Sequence, residues 1–387
     1  MAGRRRGVHV NRRTFRRAVL SLGIATSTLV ATVATPAYAR PDHPAPASAA
    51  VASPVFAITD GVARQVARTD RAGLTRLGVA AANGPVDLLA AGVDARLAGD
   101  LRAANQRLLV AKGLPGGTGS LLRLRLAHPD MRAALARGEA PLVAATPTDD
   151  SATSVSAYDR SGATVVLDAA RVPQRPVLVV EVDTERALSA GLALMRQELG
   201  ARGIGRPAPA RPADRAAADG VSASAGYWAT KVNAVRLSDD EEPWIKGDAE
   251  IYNLVAGFGL DGKVKVDLVQ MPYLDHDDKT YYPNQLLVHF SSYKYNLADV
   301  VMMEDDGDTN YSSLVKAIAG ALLVIVDGGA YTPLVNAILD AIPTSWYTDD
   351  PDFVDAWYTL STASSGRKYG AGANGWMDVA PYWVEQF

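Results

Sequence analysis

A Pro- and Ala-rich segment at residues 204–226 divides the chain into two halves of different composition. The segment contains no aromatic residue, which is typical of a linker. Of the 27 Phe, Trp and Tyr residues in the chain, 23 lie at or beyond Tyr227. Residues 227–387 also hold 24 acidic and 10 basic side chains, a net charge of −14. Two domains with different cores are therefore predicted, at residues 54–203 and 227–387.

Residues 1–39 have the composition and order of an export signal. Residues 11–17 read NRRTFRR, residues 18–33 are mildly apolar, and residues 37–39 read AYA, the small-x-small form of a signal-peptidase site. The arrangement resembles a twin-arginine signal, and the general secretory route is the alternative. We expect a secreted, extracellular protein whose mature chain begins at Arg40.

The absence of cysteine limits how such a protein is stabilised and what chemistry it performs. An exported chain without cysteine has no disulfide, no Cys nucleophile and no Cys-ligated metal. Residues 40–53 are Pro- and Ala-rich and are predicted to form a flexible leader. Stability must therefore come from core packing or from bound ions.

Residues 54–203 combine helix and strand signals. Helices are predicted from apolar spacing and end signals over 55–79, 86–97, 101–112 and 129–137. Short Val-rich runs predict strands over 141–146, 154–158, 163–168 and 177–183, and a closing helix is predicted at 184–202. This half is predicted to be an α+β domain.

Residues 227–387 show mainly strand signals. Strands are predicted over 227–237, 248–258, 263–270, 285–295 and 298–304. Residues 263–268 alternate polar and apolar side chains, as a half-buried antiparallel strand does. A mainly-β domain of the β-sandwich type is the predicted architecture.

A helical hairpin is predicted to interrupt this sandwich at about 312–342. The spacing of apolar residues becomes helical there, and residues 327–329 (DGG) split the segment. Residues 317–326 are ten apolar residues in a row, too few to span a bilayer. We therefore expect a buried hairpin, with contact to a membrane through 314–342 as the alternative.

The acidic side chains of the second half are clustered rather than spread. Each cluster falls in a predicted loop or at a strand end, where several carboxylates at one end of a sandwich would repel unless a cation neutralised them. Hard oxygen ligands of this kind suit Ca²⁺. The candidate calcium ligands are Asp239, Asp240, Asp275, Asp277, Asp278, Glu304, Asp305, Asp306, Asp308, Asp349, Asp350 and Asp352. The alternative is that these loops only keep the protein soluble.

Other site chemistries find little support in the sequence. An EF-hand beginning at Asp306 would have Tyr311 at its glycine position and Ala317 in place of the bidentate Glu. No H-E-x-x-H or G-x-S-x-G occurs, and a domain of charge −14 is a poor nucleic-acid binder. A glycosidase carboxylate pair could be drawn from Asp275, Glu304 or Asp349. Most of the aromatic side chains are expected in the sheet core, but some could stack on sugars, notably Trp346, Trp357, Trp376 and Trp383.

Two resemblances can be stated on particular segments. The run KGDAEIY at 246–252, followed by VVMMEDDGD at 300–308, resembles the strand and acidic loop of C2-like calcium-binding β-sandwiches. The whole chain, with PLVAATP, AYDRSG, PVLVVEVD and EPWIKGDAEIY, resembles an exported bacterial family of undefined function. The first resemblance implies calcium in the acidic loops, and the second implies no catalytic residues.

These observations favour a secreted calcium-binding interaction module, with an extracellular protein or glycan as its partner. Two alternatives stay open: an exported glycoside or peptide hydrolase with a pro-region-like first domain, and a calcium-dependent glycan-binding protein. Nucleic acid is not an expected partner. The sequence does not decide whether the protein is an enzyme, and it indicates no catalytic residue.

Overall fold

The computed structural model describes residues 53–147, 152–206, 226–238, 245–246, 249–276, 278–305, 307–342 and 353–385. The predicted export signal, most of the predicted leader, and residues 207–225 of the predicted linker lie outside the described residues. Export and the boundary between two domains accordingly stay predictions.

The first half of the chain is built on a six-stranded mixed sheet in the order β1-β2-β6-β3-β4-β5. Its strands are β1 (Val86–Asp87), β2 (Leu122–Leu126), β3 (Leu142–Ala145), β4 (Ser154–Tyr158), β5 (Thr164–Asp168) and β6 (Val177–Val182). The helices are α1 (Pro54–Ala67), α2 (Arg71–Asn83), α3 (Ala95–Ala111), α4 (Arg132–Ala136) and α5 (Thr184–Ala201). Strands β3 and β6 are parallel, and the other pairs are antiparallel.

Short polar side chains begin the longer helices of this half. An N-cap oxygen that accepts a backbone N–H of the first turn satisfies one of the donors that a helix start leaves unpaired. The N-cap residues of α1, α2, α3 and α5 are Ser53, Asp70, Asp94 and Asp183.

The second half forms two four-stranded antiparallel sheets. Its elements are β7 (Gly226–Leu237), β8 (Ile251–Phe258), β9 (Val264–Gln270), β10 (Gln285–His289), β11 (Leu297–Glu304), α6 (Tyr311–Leu323), α7 (Val335–Ala341), β12 (Phe353–Ser361), β13 (Gly366–Tyr369) and β14 (Gly375–Glu385). We call β10-β7-β14-β13 the outer sheet and β12-β11-β8-β9 the inner sheet. Apolar side chains of both sheets share one core, among them Val235 and Val379 of the outer sheet with Val255 and Met302 of the inner sheet. The fold prediction is confirmed: an α+β part precedes a β-sandwich with a helical insertion.

The inner sheet is covered on both faces. Opposite the sandwich core, Leu254 of β8 belongs to a second apolar cluster with Leu192 of α5, Ile318 of α6 and Ile338 of α7. Every residue of β8 (IYNLVAGF) is buried, and apolar residues lie on both of its faces instead of alternating with polar ones. Its one amide side chain, Asn253, donates to the Val269 carbonyl at 3.3 Å. The same cluster reaches Leu178 of β6, and the helices therefore join the mixed sheet to the sandwich.

Two local predictions for the first half are wrong. The segment 86–97 is not a helix: Val86 pairs with Leu124 in the sheet, and α3 begins only after its cap. The strand β2 was not predicted, although its sequence LRLRL alternates as strands do. Its register between β1 and β6 decides its conformation, and no local signal shows that pairing.

The helical insertion lies between β11 and β12. Buried residues of α6 such as Leu314 and Leu322 face the core, while Val324 and Val326 beyond its end are exposed. Within the ranges that the structure describes, no helix is long and apolar enough to cross a membrane. Membrane contact through 314–342 stays a prediction.

The contact between α5 and α6 depends on a glycine. A Cβ added at Gly191 would collide with the ring of Tyr311, the first residue of α6. We expect Gly191→Ala to lower the free energy of unfolding by about 1–3 kcal/mol, because the buried ring has to move. Gly200→Ala in the same helix is the matched control, since its Cβ would meet no atom within 4 Å. Urea unfolding of both variants gives the measurement, and equal stability of the two would contradict this account.

Candidate functional site

The acidic loop after β11 is held by an ion pair instead of being open to solvent. Asp305 and Lys112 are both fully buried, and the Lys112 Nζ lies 3.1 Å from Asp305 Oδ1. Tyr311 donates its hydroxyl to the same carboxylate, and the Gly307 N–H donates to Oδ1 at 3.2 Å. The charge of Asp305 is therefore neutralised within the protein, by a residue at the end of α3.

The pair also closes the C-terminal end of α3. The last carbonyls of a helix have no partner inside it. Asn310 Nδ2 donates to the Ala111 carbonyl at 2.6 Å, and the Tyr311 N–H donates to the Lys112 carbonyl at 3.0 Å. The loop thus supplies both a counter-ion and the cap for a helix of the other half.

Glu250 is a second acid at this junction. The Thr184 hydroxyl, at the start of α5, donates to its carboxylate. Burial and the neighbouring Asp305 raise the pKa of Glu250 to about 8, although the Thr184 hydrogen bond and Arg123 oppose that change. Sequence reasoning missed Glu250 because it lies outside the acidic runs.

Because its pKa is raised in the folded protein, the protonation of Glu250 stabilises the folded state. Below pH 4.5 the acid is protonated both folded and unfolded, so its contribution to stability is fully present. Between pH 4.5 and about 8 the unfolded chain loses the proton first, and stability falls as pH rises. We expect Glu250→Gln to gain stability relative to wild type across this window, with a slope of at most about 1.4 kcal/mol per pH unit.

Thermal unfolding of both proteins between pH 4 and pH 9 measures this difference. Glu185→Gln serves as the control, because it removes an exposed carboxylate from the first turn of α5, next to Thr184. A Glu250→Gln profile parallel to that of wild type would contradict the prediction.

The structure places the remaining predicted calcium ligands in different surroundings. Asp275 accepts from the Tyr281 hydroxyl, Asp278 forms an ion pair with Arg236, and Glu304 is buried at the end of β11. Asp308 is partly buried, and its burial raises its pKa. Seven of the predicted ligands lie outside the described residues: Asp239, Asp240, Asp277, Asp306, Asp349, Asp350 and Asp352.

Among the acids that the structure describes, no group of three or more His, Asp or Glu side chains could hold a metal ion. The predicted ligand Asp305 already has a positively charged partner, the Lys112 ammonium group, and its charge does not require a metal ion. Calcium binding stays a prediction, and the two roles of Asp305 differ in measurable ways.

Loss of one partner from a buried ion pair leaves an uncompensated charge. We expect Asp305→Asn and Lys112→Met each to lower the free energy of unfolding by about 3–5 kcal/mol, equally in chelator and in calcium. Asp278→Asn, which breaks a partly exposed pair, should cost no more than about 1 kcal/mol. A calcium ligand would behave differently, because Asp305→Asn would then destabilise only the calcium-loaded protein. Denaturant titrations with and without calcium separate the two roles.

The outward face of the outer sheet carries aromatic side chains. On β14 the inward residues Met377 and Val379 are buried, so Trp376 and Tyr382 project from the opposite face. Trp376 and Tyr382 are six positions apart along the strand, which places them about 20 Å apart. Tyr369 of β13 is paired with Trp376 across the strands and is 70% exposed. Exposed aromatic side chains on one face make that face a candidate binding surface.

Two cations lie over rings of this face. The Arg367 guanidinium carbon is 3.8 Å from the Trp376 ring centroid, and Lys231 Nζ is 5.6 Å from that of Tyr382. Such contacts hold a long side chain in one place while its hydrogen-bond donors stay available. The face therefore combines flat rings with fixed donors.

A cleft of about 330 Å³ opens beside these residues. It lies between the edge strands β12 of the inner sheet and β13 of the outer sheet, and its volume is that of a small-ligand pocket. The lining residues are Ala356, Trp357, Tyr358, Leu360, Arg367, Lys368, Tyr369 and Ala371. The Trp357 indole N–H donates to the Lys368 carbonyl at 3.0 Å and ties the two edges together.

A buried carboxylate holds the turn that follows β13. Asp355 of β12 accepts the backbone N–H of Gly372 at 2.7 Å, of Asn374 at 3.0 Å and of Gly375 at 2.9 Å. A Cβ at Gly370 would collide with this carboxylate, so the glycine-rich sequence GAGANG at 370–375 allows the chain to wrap around it. Asp355 is therefore a structural acid that positions the cleft wall.

Sequence reasoning noticed the aromatic excess of this half but assigned most of it to the core. The signal that could have located the site is the pair RKY at 367–369 and WMD at 376–378, two short amphipathic strands joined by a glycine-rich turn. No predicted acid lines the cleft.

Comparison with known proteins identifies the chain at the level of a family. The sequence model of a family described as "Protein of unknown function (DUF3103)" matches residues 58–387. No curated protein and no solved structure matches the chain significantly. The match runs through both halves and includes every residue of the cleft, and the chain therefore belongs to the DUF3103 family.

Proposed function

We propose that this chain is a secreted, non-catalytic binding protein that recognises a glycan through the outward face of the outer sheet and the adjoining cleft. The observation that carries the proposal is the exposed Tyr369 ring beside the Trp376–Arg367 stack, at the mouth of the cleft. Aromatic faces are electron-rich and attract the polarised C–H groups of a sugar ring. Fixed nitrogen donors next to them provide hydrogen bonds to hydroxyl groups.

The shape of the surface supports a chain-like ligand. The row from Tyr369 and Trp376 to Tyr382 follows β14 for about 20 Å, several times the length of one sugar unit. The β-sheet beneath it is rigid, so the rings are positioned before the ligand arrives. A hydrolase instead needs a pair of acids facing the ligand, and no acid lines the cleft.

Calcium binding and the C2-like resemblance are the second part of the sequence prediction, and neither is needed for this surface. Calcium binding stays a prediction that is separate from this proposal. Glycan binding measured in chelator and in calcium separates a calcium-dependent lectin-like protein from a calcium-independent one.

The test is affinity electrophoresis of the full chain in gels that contain one of a panel of neutral and acidic polysaccharides. We expect retardation by at least one polymer and a loss of affinity of about 10-fold or more in Tyr369→Ala and in Trp376→Ala, because central aromatic contacts commonly contribute more than 1 kcal/mol. Release of reducing ends from the bound polymer should not be detected.

Tyr282→Ala is the matched control. Tyr282 is 73% exposed but precedes β10, at the edge of the outer sheet opposite to β13. Its loss should leave retardation unchanged. Equal losses in Tyr282→Ala and Tyr369→Ala, migration unaffected by every polysaccharide, or steady release of reducing ends would each contradict the proposal.

A further inference from the structure

We infer that the cleft between β12 and β13 takes an anionic sugar, one that carries a carboxylate or a sulfate, and that the glycan bound by this protein is acidic. The inference rests on the proposed function, because it names the class of glycan for the same surface. It is carried by the placement of two adjacent cations, Arg367 and Lys368, in the lining of the cleft.

These two cations are adjacent basic residues in an acidic half of the protein. Residues 227–387 hold only 10 basic side chains against 24 acidic ones. Within the described ranges, four of these basic residues form ion pairs with carboxylates: Arg236, Lys265, Lys279 and Lys294. Neither Arg367 nor Lys368 has a described carboxylate within 4.0 Å. Both cations therefore lack an ion-pair partner among the described carboxylates, in a half that has an excess of acid.

The pleat of β13 places the two cations on opposite sides of the strand. Arg367 is paired with Asp378, an outward position of β14, whereas Lys368 is paired with the buried Met377. Lys368 is itself partly buried, and Arg367 is exposed. Because both residues line the cleft, its wall carries positive charge from the outward face of the sheet to the inner end.

The nearest acid on the outward face is engaged elsewhere. Asp378 accepts a hydrogen bond from Asn233 at 3.3 Å and does not reach the Arg367 guanidinium. The guanidinium instead stacks on Trp376, which fixes its plane but uses none of its N–H donors. A planar group held in this way matches the paired oxygens of a carboxylate or sulfate.

The remaining lining residues suit a sugar more than a small inorganic anion. Tyr369 adds an exposed ring beside the two cations, and the volume of about 330 Å³ is large enough for a ring with its substituents. A bare phosphate would fill little of this space. The ligand therefore carries its negative charge on a ring.

The negative charge of the domain does not prevent such binding. At physiological ionic strength the screening length is about 8 Å, so charges on distant loops act weakly on a polymer at the cleft. Contact with unpaired cations at short range decides the affinity.

The test compares the full chain with polygalacturonate, with a sulfated galactan, and with a neutral galactan, each measured by affinity electrophoresis and by calorimetry at 0.15 M salt. We expect the acidic polymers to bind at least 10-fold more tightly than the neutral one. The double variant Arg367→Gln/Lys368→Gln should lose this preference, so that it binds acidic and neutral polymers with the same, weakened affinity. The carboxylated and the sulfated polymer distinguish the two sources of charge.

A matched double variant, Lys263→Gln/Lys316→Gln, removes the same charge from exposed positions elsewhere in this half. It should bind acidic polymers as wild type does. Equal loss in both double variants would show a general effect of charge and overturn the inference. Binding of neutral and acidic galactans with the same affinity would also overturn it but leave the proposed function standing. Absence of binding to every polymer would overturn both.

Discussion

The buried pair of Lys112 and Asp305 is the interaction on which the arrangement of the two halves depends. It joins the end of α3 to the loop after β11 across 193 positions of sequence, and both side chains are fully buried. A charge that is buried with its partner is tolerated, whereas a charge that has lost its partner is strongly destabilising. The loop also caps α3 through Asn310 and Tyr311, so its position and the helix end determine each other.

This junction covers one face of the inner sheet with helices and leaves the outer sheet to face solvent. Leu254 and Leu192 pack in the helix-sheet core, while Val255 on the next position packs in the sandwich core. A sheet buried on both sides has no face left for a ligand. The outward face of β13 and β14, with the cleft at its edge, is therefore the solvent-facing sheet surface to which we assign the proposed ligand.

The acids of the second half illustrate how differently one residue type can be used. Asp305 neutralises a buried lysine, and Asp355 holds a glycine-rich turn. Glu250, which contacts the start of α5, has a raised pKa. From the runs of acidic residues, the sequence analysis predicted cation ligands in the loops. Where the structure describes those loops, Asp305 pairs with Lys112 of the other half, Asp275 accepts from the Tyr281 hydroxyl and Asp278 pairs with Arg236. The acidic runs themselves do not show these partners.

Most elements of the fold could be predicted because their signals are local. Apolar spacing and Gly113 marked the end of α3, Gly203 marked the end of α5, and Val-rich runs marked β4 and β6. The strand β2 was missed although LRLRL alternates, because its pairing with two distant neighbours leaves no signal within the segment. The cleft was missed for the same reason, since its walls come from two sheets.

The sequence by itself determined the α+β half, the β-sandwich with its helical insertion, and the excess of aromatic and acidic residues in the second half. Only the tertiary structure decided which aromatic rings face solvent, because a Tyr on an edge strand and a Tyr in a core have the same local pattern. Tyr369 is exposed and Tyr311 is buried, although both follow short polar segments. Pairing between residues far apart in sequence, whether Lys112 with Asp305 or β12 beside β13, is a property of the packed chain and is not encoded at either position alone.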